Sequence, residues 1–141
     1  MRVPSRGPSA LAVCTALLTA CSGSSAGASA GPKQPAASTF AAGTCRTAAP
    51  DILEIGKDAY RLGKGPEIAK PVVASLTSAQ DRLSAISDAA EPAYKPAFTQ
   101  LVVAVGLIRL QAHVGSYRQQ QGDHLVSSYD AVVTACTHPA S

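Results

Sequence analysis

The sequence predicts an all-α protein: a four-helix, up-down-up-down bundle that is closed by one disulfide and follows a signal peptide and a flexible tether. Three observations lead to this prediction. Between positions 45 and 137, small or apolar residues recur every three or four residues, which is the period of one helix face. Glycine and proline interrupt this pattern in short segments that connect one helix to the next. Short connections favour antiparallel neighbours. Cys45 and Cys136 stand at the two ends of the pattern.

The first twenty residues are typical of a secretory signal peptide. Arg2 and Arg6 form a short basic region, and residues 9–20 are a run of small or apolar residues, SALAVCTALLTA. A basic region followed by such an apolar core is the pattern of an export signal. The run is shorter than the roughly 20 residues that a helix needs to span a bilayer. We therefore expect residues 1–20 to be removed on export.

The apolar run ends in the sequence Leu18-Thr19-Ala20-Cys21. This sequence resembles the lipobox of bacterial lipoprotein precursors, with an apolar residue at the third position before the cysteine and a small residue directly before it. The resemblance covers residues 1–21. It implies cleavage by signal peptidase II before Cys21, a diacylglyceryl group on the Cys21 thiol and acyl chains of the palmitate type. Because two or three acyl chains anchor a protein stably, it also implies attachment to the outer face of the cell membrane.

Residues 21–44 follow as a lipidated cysteine and a tether. Residues 22–44 consist mostly of Ser, Gly, Ala and Pro, with a single charged residue, Lys33, and a single aromatic residue, Phe40. A segment of this composition contains too little apolar surface to form a core of its own. We expect it to be flexible, with a mean reach of roughly 25 Å.

The cysteine content predicts one disulfide. Cys14 leaves with the signal peptide and Cys21 carries the lipid, so that Cys45 and Cys136 remain. Outside the reducing cytosol, an even pair of cysteines is expected to be oxidised. In an up-down-up-down bundle, the start of helix 1 and the end of helix 4 lie at the same end. The disulfide and the number of helices therefore support each other.

Residues 45–141 form the predicted bundle domain, with helices expected at roughly 46–62, 67–89, 93–120 and 123–137. Gly63 to Pro66 ends helix 1, and Glu91-Pro92 separates helices 2 and 3. Pro71 is an alternative start for helix 2, because proline is tolerated in the first turn of a helix.

The connection between helices 3 and 4 has two interpretations. Gly122 followed by Asp123 is typical of a helix end and the N-cap of the next helix. Gly115-Ser116 is the alternative end of helix 3.

The third helix is unusually apolar. Its sequence LVVAVGLIRL carries a single charge, that of Arg109. One interpretation is a central helix that contacts several others, with Gly106 permitting close approach. The other is an exposed apolar face or groove that binds a partner or a lipid-like ligand.

The charge content argues against nucleic acid as a partner. The chain has 12 Lys and Arg against 9 Asp and Glu, and the loss of Arg2 and Arg6 leaves the mature protein nearly neutral. It contains no basic domain of the kind that nucleic-acid-binding proteins carry, and export would separate it from the nucleic acid of the cytosol. The expected partners are the membrane, through the lipid on Cys21, and an envelope protein or an anionic envelope ligand.

One end of the predicted bundle is basic. With helices 1 and 3 running away from the tether, the far turns collect more basic than acidic residues. Such an end could attract an anionic polymer or a phosphate-bearing ligand. The candidate site for this weak binding consists of Arg61, Lys64, Lys70 and Arg118. The alternative is a solvated surface with scattered charge.

The sequence contains no recognisable catalytic motif. H-E-x-x-H, Walker, G-x-G-x-x-G and C-x-x-C patterns are all absent. The predicted function is therefore a non-enzymatic binding or interaction role at the cell envelope, performed by a lipid-anchored, exported helical module without a cofactor. The alternative is a metal-dependent or other unrecognised enzyme. It would use His113 and His124, which the antiparallel topology places near the same end of the bundle.

Overall fold

The computed structural model describes residues 32–62 and 67–139. These ranges contain four α-helices: α1 (Thr44–Ala59), α2 (Lys70–Asp88), α3 (Lys95–His113) and α4 (Gln119–Thr137). Each helix packs against the next one in the chain, and α4 closes the bundle against α1. The predicted all-α bundle with up-down-up-down topology is confirmed. Within the described ranges, no helix combines the length and the hydropathy of a membrane span.

The core consists of one apolar stripe from each helix. The stripes have the predicted spacing of three and four residues, so each helix turns one face towards the bundle axis. Burying such a side chain stabilises the fold by about 1.5–3 kcal/mol. The largest fully buried residues of the helices are Ile52, Ile55, Leu76, Leu83, Phe98, Leu101, Val105, Ile108, Leu125 and Val132.

Cys45 and Cys136 form the predicted disulfide. Their Sγ atoms are 2.01 Å apart, and their Cα atoms are 5.4 Å apart. Both residues are fully buried. Cys45 lies in the first turn of α1 and Cys136 in the last turn of α4, so the bond joins the two ends of the helical region at one end of the bundle. We call this the disulfide end, and the other the distal end.

Proline sets the starts of two helices, as local sterics require. Pro71 and Pro96 lie in the first turns of α2 and α3, where the missing N–H removes no helical hydrogen bond. The alternative start of helix 2 at Pro71 is thus confirmed. Pro50 lies inside α1. The helix continues through it on an exposed face, where water can satisfy the carbonyl that loses its donor.

The boundary between helices 3 and 4 differs from the first interpretation. α3 ends at His113, and α4 already begins at Gln119. The helix end at Gly115-Ser116 is therefore confirmed, and the caps at Gly122 and Asp123 are wrong. Gly122 lies inside α4 because of close packing: a Cβ at this position would lie 2.4 Å from the hydroxyl oxygen of Tyr117.

The start of α4 is capped by glutamine. The backbone N–H of Gln121 donates to the carbonyl of Arg118 at 2.9 Å. The side-chain carbonyl of Gln121 in turn accepts a hydrogen bond from the backbone N–H of Arg118. This pairing gives hydrogen-bond acceptors to two backbone N–H groups, of a kind that otherwise have no partner within the helix at its start. It does so without the Ser, Thr, Asp or Asn that usually marks an N-cap in a sequence.

Residues 32–43, which we call the strap, pack against the bundle. They contain a short 3₁₀ helix at Ala37–Thr39, and the side chain of Phe40 is 1% exposed. The Ala41 N–H donates to the carbonyl of Cys136 at 2.7 Å. At the other end of the strap, Gln34 Nε2 donates to the carbonyl of Leu53 at 2.8 Å. The strap therefore runs alongside α1 in the opposite direction.

The strap differs from the flexible tether that was predicted for residues 22–44. Its single aromatic side chain anchors it, because Phe40 enters the core that the helices form. Arg46 adds hydrogen bonds from its guanidinium to the carbonyls of Ser38, at 2.8 Å, and of Phe40. Residues 21–31, including the predicted lipidation site Cys21, lie outside the described residues.

We expect Phe40→Ala to lower the free energy of unfolding by about 3 kcal/mol, as for other buried phenylalanine side chains. Chemical denaturation followed by circular dichroism would measure the loss. Ser38→Ala is the matched control, because Ser38 is exposed on the same strap. An unchanged denaturation midpoint for Phe40→Ala would show that the strap is not part of the folded domain.

Candidate functional site

A groove of about 1090 Å³ opens between the first half of α2 and the second half of α3, at the distal end. This volume is similar to the upper range of pockets that hold small ligands, roughly 300–1,000 Å³. Its apolar walls include Ile68 and Val73 on the α2 side and Leu110 on α3. Its charged residues are Glu67, Lys70 and Arg109, with the imidazole of His113 beside them.

Five of the residues that line the groove are Ala or Gly, and these leave more space there than larger side chains would. The small residues that line the groove are Ala69, Ala74, Gly106, Ala112 and Gly115.

A polar bridge spans the two helices in the groove. Gln80 of α2 donates from Nε2 to the carbonyl of Val102 in α3 at 3.1 Å. Its Oε1 accepts a hydrogen bond from Arg109 Nη1 at 2.5 Å. The same nitrogen lies 3.6 Å from Asp81 Oδ1. Two partners on α2 therefore fix the guanidinium of Arg109. Gly106 leaves room for this bridge, since a Cβ there would lie 3.1 Å from Gln80 Nε2.

An apolar ridge continues the α3 wall of the groove. It consists of Val103, Leu107, Leu110 and Val114, which are 53%, 41%, 55% and 59% exposed. Their spacing of four, three and four residues places them along one face of α3, over about 16 Å. Leu110 belongs to both the groove and the ridge. A row of exposed apolar side chains on one helix face is a candidate contact surface.

The ridge shows how the third helix is placed in the bundle. α3 packs against α2 and α4, and its remaining face carries the exposed ridge. It is therefore not a central helix surrounded by others. The exposed apolar face of the second interpretation is present, and the binding of a partner or a lipid-like ligand there stays a prediction.

The structure separates the residues of the predicted anion site. Lys70 lines the groove. Arg61 follows the end of α1, and Arg118 precedes α4; both are exposed, and neither lines the groove. Lys64 lies outside the described residues. Arg109, which was not part of the predicted site, lines the groove together with Lys70.

The two histidines of the alternative enzyme hypothesis have different surroundings. His113 ends α3 and lines the groove, whereas His124 lies exposed on α4 and does not line it. Among residues 32–62 and 67–139, no three His, Cys, Asp or Glu side chains are placed to hold a metal ion together.

Tyrosines with raised pKa values lie between α1 and α4. Tyr60 donates from its hydroxyl to Asp130 Oδ1 at 3.3 Å, and its ring meets that of Tyr129 edge to face at 6.0 Å. Burial and then the charge of Asp130 raise the pKa of Tyr60 to about 12. Burial also raises the pKa of Tyr129. Such phenols stay protonated at neutral pH and are unsuited to act as general bases, so their role here is to pack the two helices.

Sequence reasoning named Lys70 but missed the rest of the α2 side of the groove. Val73 and Gln80 have no special feature in the sequence, because they belong to the ordinary polar and apolar alternation of a bundle helix. The only available signal was the group of small residues on both helices, which becomes meaningful only when the pairing of α2 with α3 is known.

Comparisons with known proteins give no match for this chain: no family model, no curated protein and no solved structure is significantly similar to it. Its function is therefore argued from its own residues and geometry.

Proposed function

We propose that this protein is a lipid-anchored, exported helical module with a non-enzymatic binding role at the cell envelope, and that the groove between α2 and α3 is its binding surface. The groove with its adjoining ridge is the observation that carries the proposal. It combines apolar walls with a few fixed polar groups, which is the usual composition of a ligand site.

The location in the envelope is supported by the sequence. The signal-like residues 1–20 and the lipobox ending at Cys21 favour export and attachment to the outer face of the membrane. A module held there would meet envelope proteins and anionic envelope ligands before any other partner. The mature chain has a net charge close to zero, so it has no strong overall charge that would repel either class of partner.

Site-specific photocrosslinking in the native cells tests this proposal. A photoreactive amino acid at Val73, on the groove wall, is expected to form a defined adduct with one envelope component. The same amino acid at Ala131, which is exposed on α4 outside the groove, is the matched control. Ala74→Leu should suppress the adduct at Val73, because Ala74 lies exposed in the groove lining and a larger side chain would fill the groove without entering the core.

Equal labelling from Val73 and Ala131 would contradict the proposal, and so would an adduct that survives Ala74→Leu. Either result would mean that the groove is not the contact surface.

A further inference from the structure

We infer that the groove binds an anionic amphiphile, a ligand with one acidic head group and one hydrocarbon chain. This inference rests on the proposed function, because it assigns a ligand class to the same groove.

The charges in the groove favour an acidic head group. Lys70 and Arg109 line it against a single carboxylate, that of Glu67. The Lys70 ammonium forms no ion pair with any residue in the described ranges. Arg109 has only a long contact with Asp81, at 3.6 Å, and the Asp81 side chain is 71% exposed. Such an exposed pair is weak, so the guanidinium can also interact with a phosphate or carboxylate in the groove.

The position of Arg109 is fixed before any ligand arrives. Its hydrogen bond to Gln80, which itself bonds to the α3 backbone, holds the side chain across the groove. A head group therefore meets a donor that is already oriented, which lowers the entropic cost of binding. His113 lies in the same lining and offers a further ring nitrogen.

The apolar walls favour a hydrocarbon chain. Val73 and Leu110 line the groove beside the cations, and the ridge extends this apolar surface from Leu110 to Leu107 and Val103. A chain whose head group binds at Lys70 can follow this track along α3. An inorganic anion would leave the walls exposed, and a neutral or cationic amphiphile would leave the Lys70 ammonium without a partner. One ligand with both parts satisfies both features.

Calorimetry on the mature chain tests the ligand class. The chain from residue 21, made with Cys21→Ser so that it carries no lipid, retains every residue that the structure describes. The probes are decyl phosphate, dodecyl phosphate, dodecanoate, dodecyltrimethylammonium and inorganic phosphate, all below their micellar concentrations. We expect one saturable site for the anionic amphiphiles. Lengthening the chain from decyl to dodecyl should tighten binding by up to about fifteenfold, if each buried methylene contributes about fourfold.

Two variants and a control locate the site. Lys70→Gln should weaken dodecyl phosphate binding by up to about fivefold, as for one exposed charge pair. Ala74→Leu should weaken it more, because it fills the groove. Lys57→Gln makes the same charge change on an exposed part of α1 outside the groove, and it should leave the affinity unchanged.

Comparison of dodecanoate with dodecyl phosphate shows whether a fatty acid or a phospholipid-type head group is preferred.

Equal affinity for dodecyltrimethylammonium, or equal affinity for inorganic phosphate, would overturn the inference. Failure of all amphiphiles to bind would also overturn it, and the crosslinking experiment separates this result from failure of the proposed function. If Val73 still forms its groove-dependent adduct, the groove is a binding site for another class of partner. If it does not, the proposed function fails as well.

Discussion

Loss of the Cys45–Cys136 disulfide is expected to lower the free energy of unfolding by up to about 4–5 kcal/mol. The bond joins residues 91 positions apart, so in the reduced protein the unfolded chain gains the conformational freedom of a long loop. A small domain has a total stability of about 5–15 kcal/mol, and the disulfide is therefore a large part of it. The helices themselves should persist at low temperature, because their stripes still pack.

Thermal denaturation with and without reductant measures this effect. The variant Cys45→Ala with Cys136→Ala should melt at the lower temperature of the reduced wild type and should not respond to reductant. Mass spectrometry of the exported, unreduced protein provides the covalent check. Two free thiols, or equal melting temperatures for the oxidised and reduced forms, would show that the bond does not stabilise the domain.

Cys21→Ala is expected to abolish acylation and release the protein from the membrane. Cys21 is the only residue that the lipobox resemblance assigns to lipid attachment, and no helix in the described ranges could replace the anchor by crossing the bilayer. Partition into a detergent phase measures the change: the wild type should enter the detergent phase, and the variant should remain in water.

Cys14→Ala is the matched control for this experiment, because Cys14 lies within the signal-like residues 1–20 and should be removed with them. A Cys21→Ala protein that still partitions like the wild type would disprove the lipoprotein assignment.

The spacing of apolar residues by three and four positions predicted the helices, because one apolar stripe is enough to identify a helix. Ile52, Leu83, Val105 and Val132 lie in the core as their spacing indicated. The end of α3 could not be decided in this way, since Gly122 has the sequence appearance of a helix end. Its small size is instead required by the Tyr117 side chain, and that contact depends on tertiary packing.

The strap and the groove were harder to predict for a related reason. Phe40 stands in a segment of low hydrophobicity, where local composition outweighs a single aromatic residue. Its burial depends on a core formed by helices that begin after it in the chain. The groove depends on how side chains of two separate helices come together. The apolar sequence of the third helix left a central helix and an exposed face both open, and it could not show which residues of α2 lie opposite.

The strap also determines how mechanical load would enter the domain. The hydrogen bond of Gln34 to Leu53 lies about 12 Å along α1 from Cys45. Tension from an anchored N-terminus would therefore unzip the strap one contact at a time before it reached α1. At Cys45 the covalent bond to Cys136 divides the force between α1 and α4. The four helices would therefore stay packed while the strap extends and lengthens the chain between the anchor and the bundle.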